Sequence, residues 1–399
     1  TVVGFNCEAD IYVINTCVVT NTGQRKSRQM INRAVRRNPT AFVVVTGCYP
    51  QTAAEEVKTI PGVDLIIGNQ DRAEAAAFQS VDTIDSVRKL SANTEFEELS
   101  AGDVSDKTRA FLKIQEGCNQ FCTYCIIPFA RGPLRSRSLT SIREEVKKLV
   151  ASGYKEIVLI GIHLGCYGKE HDGKLTLFDA VEAALSVEGL QRLRLGSLES
   201  VEVEARLLNL MEKDKRLCRQ LHLPLQAGCD TTLARMHRPY DTRRFTELLA
   251  DIRKRIPDIA ITTDIIAGFP GETEEEFAST LVFAENCGFS KMHIFPYSKR
   301  KGTPAEEMPN QIPETVKQRR CAQLAELDHK QQQKFLERFV GSAVEVLFEQ
   351  TVEDGYIEGL TSNYLRVYVR SEAELCGKIR KVRLLKAETS FLIGELLKE

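Results

Sequence analysis

Residues 117–125 read GCNQFCTYC and place three cysteines, at positions 118, 122 and 125, in the spacing C-x3-C-x2-C. Residues 110–115 before them predict a β-strand, so the cysteines fall in the loop at its carboxyl end. In barrels of parallel β/α units, that end carries the chemistry. Three neighbouring thiolates can hold three irons of a [4Fe-4S] cluster and leave the fourth iron open to a small molecule. Cys118, Cys122 and Cys125 are therefore the candidate catalytic and metal-ligating residues.

A structural zinc site is the alternative interpretation of these cysteines. Zinc usually takes four ligands, often as two C-x2-C pairs, and no fourth Cys or His lies close to the three in sequence. The spacing and the position after a strand favour the iron–sulfur cluster.

A β-then-α pattern repeats around this loop between residues 109 and 298. The predicted strands are residues 110–115, 156–160, 192–198, 219–225, 259–267 and 292–296. Capping boxes at Ser141–Glu144 and Thr273–Glu276 predict two of the helix starts between them. Six units are two fewer than a complete barrel has, so we expect an incomplete (β/α)6 TIM-like barrel, open at one side, over residues 104–334.

The flanking regions predict two further domains, which makes the chain an α/β protein. Residues 1–90 alternate strands at 9–15 and 41–46 with a basic helix at 24–37, as in a parallel α/β domain. A polar linker is expected at 91–107 and a helix at 314–338. Residues 335–399 contain four strand-like segments and predict a small all-β barrel of the size that binds nucleic acid.

The composition excludes few partners. The chain has 399 residues with 54 Lys and Arg against 55 Asp and Glu, so affinity for nucleic acid has to come from local patches. No stretch approaches the roughly 18 apolar residues of a membrane span, and no secretory leader is visible. We therefore expect a cytoplasmic protein whose 12 cysteines are reduced.

The longer segment 117–137, GCNQFCTYCIIPFARGPLRSR, resembles the radical S-adenosylmethionine methylthiotransferases that modify tRNA. The resemblance is closest to the branch acting on threonylcarbamoyladenosine beside the anticodon. It extends over nearly the whole chain, through residues 161–168 (GIHLGCYG), 192–199 (RLRLGSLE), 222–228 (HLPLQAG), 264–276 (DIIAGFPGETEEE) and 295–304 (FPYSKRKGTP).

The resemblance implies a reaction and a set of cofactors. The open iron would bind S-adenosylmethionine, and one electron would cleave it to methionine and a 5′-deoxyadenosyl radical. That radical would take hydrogen from carbon 2 of the adenine, where sulfur from a second, auxiliary [4Fe-4S] cluster is then delivered as a methylthio group. The resemblance also implies a C-terminal TRAM domain that binds RNA, carried by residues 359–367 (GLTSNYLRV).

Polar residues and glycines fall where the predicted barrel strands end. By resemblance this rim binds S-adenosylmethionine, with His163, Glu199, Gln226, Gly268 and Gly271 as the candidates. Glycine permits close approach of the backbone to a ligand. His222 is more simply a core histidine with satisfied hydrogen bonds.

Two N-terminal cysteines, Cys17 and Cys48, each follow a predicted strand, and the carboxyl ends of parallel strands meet at one edge. By resemblance they match the second and third ligands of the auxiliary cluster. The first ligand belongs to an upstream segment absent from this sequence, so we expect a truncated N-terminus and a weakly held cluster. Cys7 lies at the wrong end of its strand. Cys166 follows a barrel strand but shows no ligand spacing.

Basic residues supply the candidate tRNA contacts. No Asp or Glu occurs between residues 11 and 54, and the predicted helix there is strongly basic. Residues 335–399 contain 9 basic and 11 acidic residues, so RNA binding by this domain would need stacking or a one-sided basic patch. The candidates are Arg25, Lys26, Arg28, Arg33, Arg131, Arg135, Arg137, Tyr364 and Arg366.

Two alternatives stay open at this point. A related branch of the family methylthiolates a ribosomal-protein side chain, although the basic segment 299–301 and His163 favour the tRNA branch. A non-catalytic RNA-binding module, with zinc or no metal, is the other. The sequence does not indicate which tRNAs are modified, the electron donor, the sulfur source or the oligomeric state.

Overall fold

The computed structural model describes residues 2–70, 85–91, 94–98, 108–172 and 174–398. The N-terminal elements are β1 (Ile11–Thr16), α1 (Asn21–Arg37), β2 (Phe42–Gly47), α2 (Cys48–Lys58), β3 (Leu65–Ile67) and β4 (Asp85–Ser86). The central elements are β5 (Arg109–Lys113), β6 (Gln115–Glu116), α3 (Ile127–Arg131), β7 (Arg135–Ser136), α4 (Leu139–Ala151), β8 (Glu156–Ile160), α5 (Leu177–Leu185), β9 (Arg192–Leu195), α6 (Ala205–Lys213), β10 (Gln220–His222), α7 (Asp230–Arg235), α8 (Thr242–Arg255), β11 (Ala260–Ala267), α9 (Glu274–Cys287), β12 (Lys291–Pro296) and α10 (Pro304–Glu307). The C-terminal elements are α11 (Glu314–Glu337), β13 (Ala343–Thr351), β14 (Tyr356–Thr361), β15 (Arg366–Arg370), β16 (Ile379–Ala387) and β17 (Leu392–Leu396).

The chain divides into two compact units, each of which contains more than one stretch of sequence. The first unit comprises Thr1–Leu99, Glu116–Arg135 and Ser298–Met308, so it contains the cysteine loop together with the N-terminal domain. The second unit comprises Ser100–Gln115, Ser136–Tyr297 and Pro309–Glu399. The grouping of the cysteine loop with the N-terminal domain was not predicted from the sequence. Most of the predicted linker, residues 92–93 and 99–107, lies outside the described residues.

The first unit is built on a four-stranded parallel sheet in the order β1-β2-β3-β4. In β1 (IYVINT) alternate side chains are buried, as expected for an edge strand with one face on the core. Helix α1 packs Ile31 and Ala34 against Tyr12, Ile14 and Val43. The predicted strands and basic helix are confirmed, and α1 begins earlier than predicted because the Thr20 side chain accepts a hydrogen bond from the Gly23 N–H.

The second unit contains six parallel strands that follow one another in chain order. One sheet has the order β5-β8-β9 and another β10-β11-β12. Isolated bridges between Leu193 and Leu217 and between Ser197 and His222 connect the two sheets. The helices between the strands give the predicted (β/α)6 arrangement. The tenth strand is shorter than predicted, Gln220–His222, and ends before Pro224, which has no N–H to donate.

The C-terminal segment forms a closed five-stranded barrel in the order β13-β14-β15-β17-β16. Strand β13 pairs antiparallel with both β14 and β16, which closes the sheet. Val346, Phe348, Val367, Val382 and Leu392 fill its interior. The predicted small β-barrel is therefore confirmed.

The observed first residues of α4 and α9 can be compared with the two predicted capping boxes. At α9, Thr273 and Glu276 make both bonds of the box, as predicted. The prediction for α4 was wrong, because the helix begins at Leu139 and its cap is Ser138, which accepts from the Ser141 N–H. Among the described residues, no helix has the length and apolar character needed to cross a membrane.

Candidate active site

The cysteine loop of the first unit has a backbone shaped by two glycines. The Cys118 N–H donates to the Gly132 carbonyl at 3.0 Å, and the Cys125 N–H donates to the Cys122 carbonyl at 3.0 Å. Gly117 has a φ of +76°, and a Cβ there would lie 1.8 Å from the Pro133 oxygen. Only glycine fits this position, which starts the loop that carries the three thiols.

The number of thiols in the loop favours a cluster over a zinc ion. Zinc usually takes four ligands, and the loop supplies three, Cys118, Cys122 and Cys125. Three thiolates suit a [4Fe-4S] cluster, in which each thiolate binds a separate iron and the fourth iron is left open.

Cys17 and Cys48 lie next to each other at the carboxyl edge of the N-terminal sheet. Strands β1 and β2 pair in parallel up to Thr16 and Gly47, so each cysteine is the next residue after a paired position. Val18 and Cys48 also share a small core with Ile126 and Ala130. Cys7 precedes β1 and lies at the opposite end of that strand.

Arg131 joins Cys48 to the residue that precedes the cysteine loop. Its Nε donates to the Cys48 sulfur at 3.0 Å, and its Nη1 donates to the Glu116 carboxylate at 3.1 Å. Burial alone would lower the pKa of Arg131, but its interactions with Glu116 and Cys48 raise it above its ordinary value. A second donor approaches the same sulfur, with Asn69 Nδ2 at 3.7 Å. N–H donors around one sulfur suit a metal-binding Cys48.

Sequence reasoning missed Asn69. It lies two residues after β3, at the edge of the sheet where Cys17 and Cys48 lie, but no strand was predicted at residues 65–67.

In the second unit, His163 belongs to a buried polar cluster after β8. Its Nε2 lies 3.0 Å from Glu202 Oε1 and 3.6 Å from the Cys166 sulfur. Cys166 donates to the same Glu202 oxygen at 2.8 Å, and Lys169 Nζ lies 3.1 Å from it. Burial alone would raise the pKa of Glu202, but the hydrogen bonds and charges of His163, Cys166 and Lys169 lower it.

The other Glu202 oxygen, Oε2, is packed against Gly165. Oε2 is buried and has no hydrogen-bond partner among the described residues, and the side chain is only 6% exposed. An unpaired buried carboxylate oxygen is costly unless a ligand donates to it. Sequence reasoning did not select Glu202, because only the fold brings the turn at 200–202 beside His163.

The remaining rim candidates occupy different surroundings. Glu199 forms a buried ion pair with Arg238. Gln226 has a φ of +66°, and its backbone bonds to both Asp264 and Ile266. His222 bonds Thr262 at 2.9 Å and lies 3.3 Å from Asp264, and its side chain is partly buried.

The turn at residues 268–271 is covered by helix α11. A Cβ on Gly268, at φ +74°, would lie 2.4 Å from the Lys317 Cγ, so this glycine makes room for a protein side chain. The Gly268 N–H donates to Glu272, which pairs with Arg320 at 2.7 Å. The Gly271 N–H donates to the Asn310 carbonyl.

The candidate RNA contacts divide by exposure. Arg25, Lys26, Arg28 and Arg33 are exposed on α1, where they form one basic surface. Arg135 is buried and donates to backbone carbonyls of its own loop.

The other candidates lie in the second unit. Arg137 is buried and donates to Ser141. Tyr364 is partly exposed, with the Arg194 guanidinium 4.5 Å from its ring centroid. Arg366 is exposed and lies 3.7 Å from Glu358.

Comparisons with known proteins match most of the chain. The family model described as the Radical SAM superfamily matches residues 112–284, and the one described as Uncharacterized protein family UPF0004 matches residues 1–68. Threonylcarbamoyladenosine tRNA methylthiotransferase MtaB of Bacillus subtilis is 41% identical over 99% of this chain and 89% of its own length. The MtaB protein of Aquifex aeolicus is 38% identical over 96% of this chain and 92% of its own. A tRNA-2-methylthio-N(6)-dimethylallyladenosine synthase of Clostridium botulinum is 34% identical over 97% of this chain and 88% of its own.

Solved structures share the fold at low sequence identity. The radical S-adenosylmethionine methyltransferase TsrM of Kitasatospora setae superposes with a TM-score of 0.57 at 15% identity, covering 75% of this chain and 66% of that one. The cobalamin-dependent radical enzyme OxsB superposes with a TM-score of 0.52 at 12% identity, covering 82% of this chain and 48% of that one. These similarities establish the incomplete-barrel fold.

Proposed function

The chain belongs to the radical S-adenosylmethionine tRNA methylthiotransferases, and from this premise we propose that it adds a methylthio group to carbon 2 of threonylcarbamoyladenosine in tRNA. The observation that carries the proposal is the C-x3-C-x2-C loop in a chain that matches a threonylcarbamoyladenosine methylthiotransferase over 99% of its length. We propose the cytoplasm as its compartment, because tRNA is the substrate.

Cys118, Cys122 and Cys125 would hold the radical cluster, each thiolate on a separate iron. When bound, that cluster supplies the electron that cleaves S-adenosylmethionine to methionine and a 5′-deoxyadenosyl radical. Gly117 fixes the start of the loop, so a side chain there would displace the thiols from their ligating positions.

The rim residues of the second unit would bind S-adenosylmethionine. We propose His163 and Glu199 as its side-chain contacts, with His163 held 3.0 Å from Glu202 Oε1. Gln226, Gly268 and Gly271 stay candidates for backbone contacts with the same ligand.

Cys17 and Cys48 are the proposed ligands of the auxiliary cluster. Their adjacent positions and the two N–H donors on the Cys48 sulfur support this role. The resemblance implies three cysteine ligands for this cluster, of which Cys17 and Cys48 match two.

The exposed basic face of α1 supports a tRNA substrate over a ribosomal protein. Arg25, Lys26, Arg28 and Arg33 can neutralise consecutive phosphates without an acidic neighbour in the segment. The relatives at 34–41% identity carry names of tRNA-modifying enzymes, which supports the same choice. We propose Tyr364 and Arg366 as secondary RNA contacts.

The radical assignment is tested by the formation of 5′-deoxyadenosine. The anaerobically reconstituted protein should produce it from S-adenosylmethionine and dithionite, and the Cys125→Ala variant should not. Cys376→Ala, which removes an exposed cysteine of the C-terminal domain, is the matched control and should stay active. A fully loaded cluster that yields no 5′-deoxyadenosine would overturn the assignment.

A further inference from the structure

Arg300 is a buried cation whose hydrogen bonds go to neutral groups. It is 6% exposed and lies in Ser298–Met308, a segment of the first unit. Its Nη1 donates to Asn21 Oδ1 at 2.5 Å and its Nη2 donates to Gln24 Oε1 at 2.7 Å. Its Nε is buried and has no hydrogen-bond partner among the described residues, and no described carboxylate forms an ion pair with it. A guanidinium is buried at lowest cost beside an anion, so these surroundings are those of an anion-binding side chain.

The two amides that bind Arg300 place it beside Cys17. Both amides belong to the first turn of α1. A Cβ on Gly23, in the same turn, would lie 3.8 Å from the Cys17 sulfur. Burial lowers the pKa of Arg300, and among the charged groups that act against this effect Cys17 is the strongest. Arg300 and Cys17 therefore lie at the same turn of α1.

The segment that carries Arg300 is fixed at both ends. The Ser298 hydroxyl accepts a hydrogen bond from the Asn21 N–H at 3.1 Å. The Ala305 N–H donates to the carbonyl of Thr123, in the three-cysteine loop, at 2.8 Å. These contacts hold the backbone on either side of Arg300, so its guanidinium is positioned at Cys17 by the fold rather than by a freely moving loop.

The second cysteine of the proposed auxiliary site already has an arginine. Arg131 donates from Nε to the Cys48 sulfur at 3.0 Å. Cys17 and Cys48 follow paired positions of neighbouring strands, so the two sulfurs belong to one edge of the sheet. Arg131 and Arg300 come from different segments of the chain, and each brings a buried guanidinium to one of the two cysteines.

We propose that Arg300 stabilises the auxiliary cluster by donating a hydrogen bond from Nε to the sulfur of Cys17 when that sulfur binds iron. The inference rests on the proposed function, which assigns Cys17 and Cys48 to this cluster. A cysteine bound to iron is a thiolate and supplies the anion that a buried guanidinium needs. Arg300 acts on the cluster through Cys17, so it is a positioning residue.

Two consequences follow for the cluster. A hydrogen bond to a ligating atom strengthens its hold on the metal. A positive charge and an N–H donor next to a ligating sulfur also favour the reduced cluster, which is more negative by one charge. Arg300 should therefore slow the loss of iron and raise the reduction potential.

A tRNA phosphate is the other anion that an arginine in this region can bind. The exposed arginines of α1 suit that role. Arg300 differs from them because it is buried and both of its Nη groups already bond to amides. A phosphate would have to enter the fold to reach Nε, whereas Cys17 lies at the same turn. Burial thus favours the cysteine as the partner of Arg300.

The test isolates the auxiliary cluster in the Cys118→Ala/Cys122→Ala/Cys125→Ala variant, reconstituted with iron and sulfide without oxygen. The readouts are the rate of iron loss to a chelator and the midpoint potential from a redox titration followed by electron paramagnetic resonance. Adding Arg300→Gln should speed iron loss about tenfold. It should also lower the potential by about 59 mV, which is tenfold in the equilibrium constant of a one-electron couple.

Two further variants control the comparison. Arg300→Lys retains the charge and should restore part of the potential, and it carries the test if Arg300→Gln does not fold. Lys301→Gln removes a charge from the next residue, which is exposed, and should leave iron loss and potential unchanged. Circular dichroism of the cluster-free variants reports whether each of them is folded.

Three results would overturn the inference. Faster iron loss at an unchanged potential would show that Arg300 only supports the fold. Normal iron loss and potential, with weakened tRNA binding, would assign Arg300 to a phosphate. A background variant that binds no iron would remove the cluster on which Arg300 is proposed to act. Formation of 5′-deoxyadenosine by the wild-type protein tests the radical cluster separately, so these results are distinct from a failure of the proposed function.

Discussion

At the scale of residues, the cysteines of the proposed cluster sites could be predicted from the sequence, but their hydrogen-bond partners could not. Strand-end position selected Cys17 and Cys48 from the sequence, because a strand fixes where its next residue lies. The partners of these residues were not predictable in the same way. Arg131 looks like a surface phosphate contact in sequence, whereas the fold directs its guanidinium to Cys48 and Glu116. Such pairings depend on tertiary contacts between segments far apart in the chain.

The buried ion pair of Arg131 gives a stability prediction. Arg131→Met removes the guanidinium that pairs with the Glu116 carboxylate, whose side chain is 3% exposed, and should lower the free energy of unfolding by about 3 kcal/mol. Adding Glu116→Gln removes the buried negative charge and should restore part of that loss. Urea denaturation of the cluster-free protein measures both. Equal stability of the single and double variants would argue against a desolvated pair.

At the scale of elements, helix caps show where local sequence is sufficient and where it is not. Thr273 and Ser141 both begin a sequence that fits a capping box. Only Thr273 occupies an N-cap, because Ser138 starts α4 one turn earlier. The local sequence pattern therefore predicts that a helix forms. The position of its first residue depends on the conformation of the preceding segment.

The two assigned N-caps give a paired prediction. Thr273→Ala should destabilise the protein by about 1 kcal/mol, because it removes the side chain that accepts from the Glu276 N–H. Ser138→Ala should cost about as much, because the Ser138 side chain accepts from the Ser141 N–H at the start of α4. Thermal unfolding of both variants under identical conditions measures these losses, and a Ser138→Ala variant as stable as the wild type would contradict the assigned cap.

Strands β8 and β9 connect the barrel to the C-terminal domain through buried charge. Arg194 pairs with Glu156 at 2.7 Å and donates to the carbonyls of Thr361 and Ser362. Arg192 donates to the carbonyls of Glu345 and Leu360. A buried strand is predicted from a run of apolar residues, and buried charged residues such as these do not fit that pattern. Their ion-pair and hydrogen-bond partners were therefore visible only in the structure.

Glu156 gives a prediction for pH. Burial would raise the pKa of its carboxyl, but Arg194 and Arg192 lower it below the ordinary 4.5. A lowered pKa contributes stability above pH 4.5 that is lost as the pH falls through the folded-state value. The stability difference between wild type and Glu156→Gln should therefore be constant above pH 4.5 and shrink as the pH falls below it. Glu247→Gln, at an exposed position, should show no such dependence in the same denaturation series.

At the scale of the whole molecule, the chain combines a metal-binding unit with a barrel and a small C-terminal β domain. The order of the six barrel strands and the closed β-barrel followed from hydrophobic patterning, because each β/α unit repeats one short pattern. The grouping of residues 116–135 with the N-terminal sheet did not, since no local signal shows which unit a loop contacts. The boundaries 1–90, 104–334 and 335–399 stay a prediction.

The basic face of α1 predicts how tRNA binding responds to salt. Each phosphate contact contributes about 0.7–0.9 to the slope of log affinity against log salt. Arg25→Gln/Arg28→Gln should therefore reduce that slope by about 1.5 and weaken binding at low salt. Arg243→Gln/Arg244→Gln carries the same charge change on α8 and should leave the slope unchanged. Filter binding over a salt series measures both, and identical slopes would remove α1 from the RNA interface.

The most direct test of the account is mass spectrometry of nucleosides from two tRNAs treated with the reconstituted protein, S-adenosylmethionine, sulfide and dithionite. One tRNA carries threonylcarbamoyladenosine and the other carries dimethylallyladenosine, with Cys125→Ala as the inactive control. We predict a methylthio group on threonylcarbamoyladenosine and an unchanged dimethylallyladenosine. Methylthiolation of dimethylallyladenosine alone, or 5′-deoxyadenosine formation with both tRNAs unchanged, would contradict it.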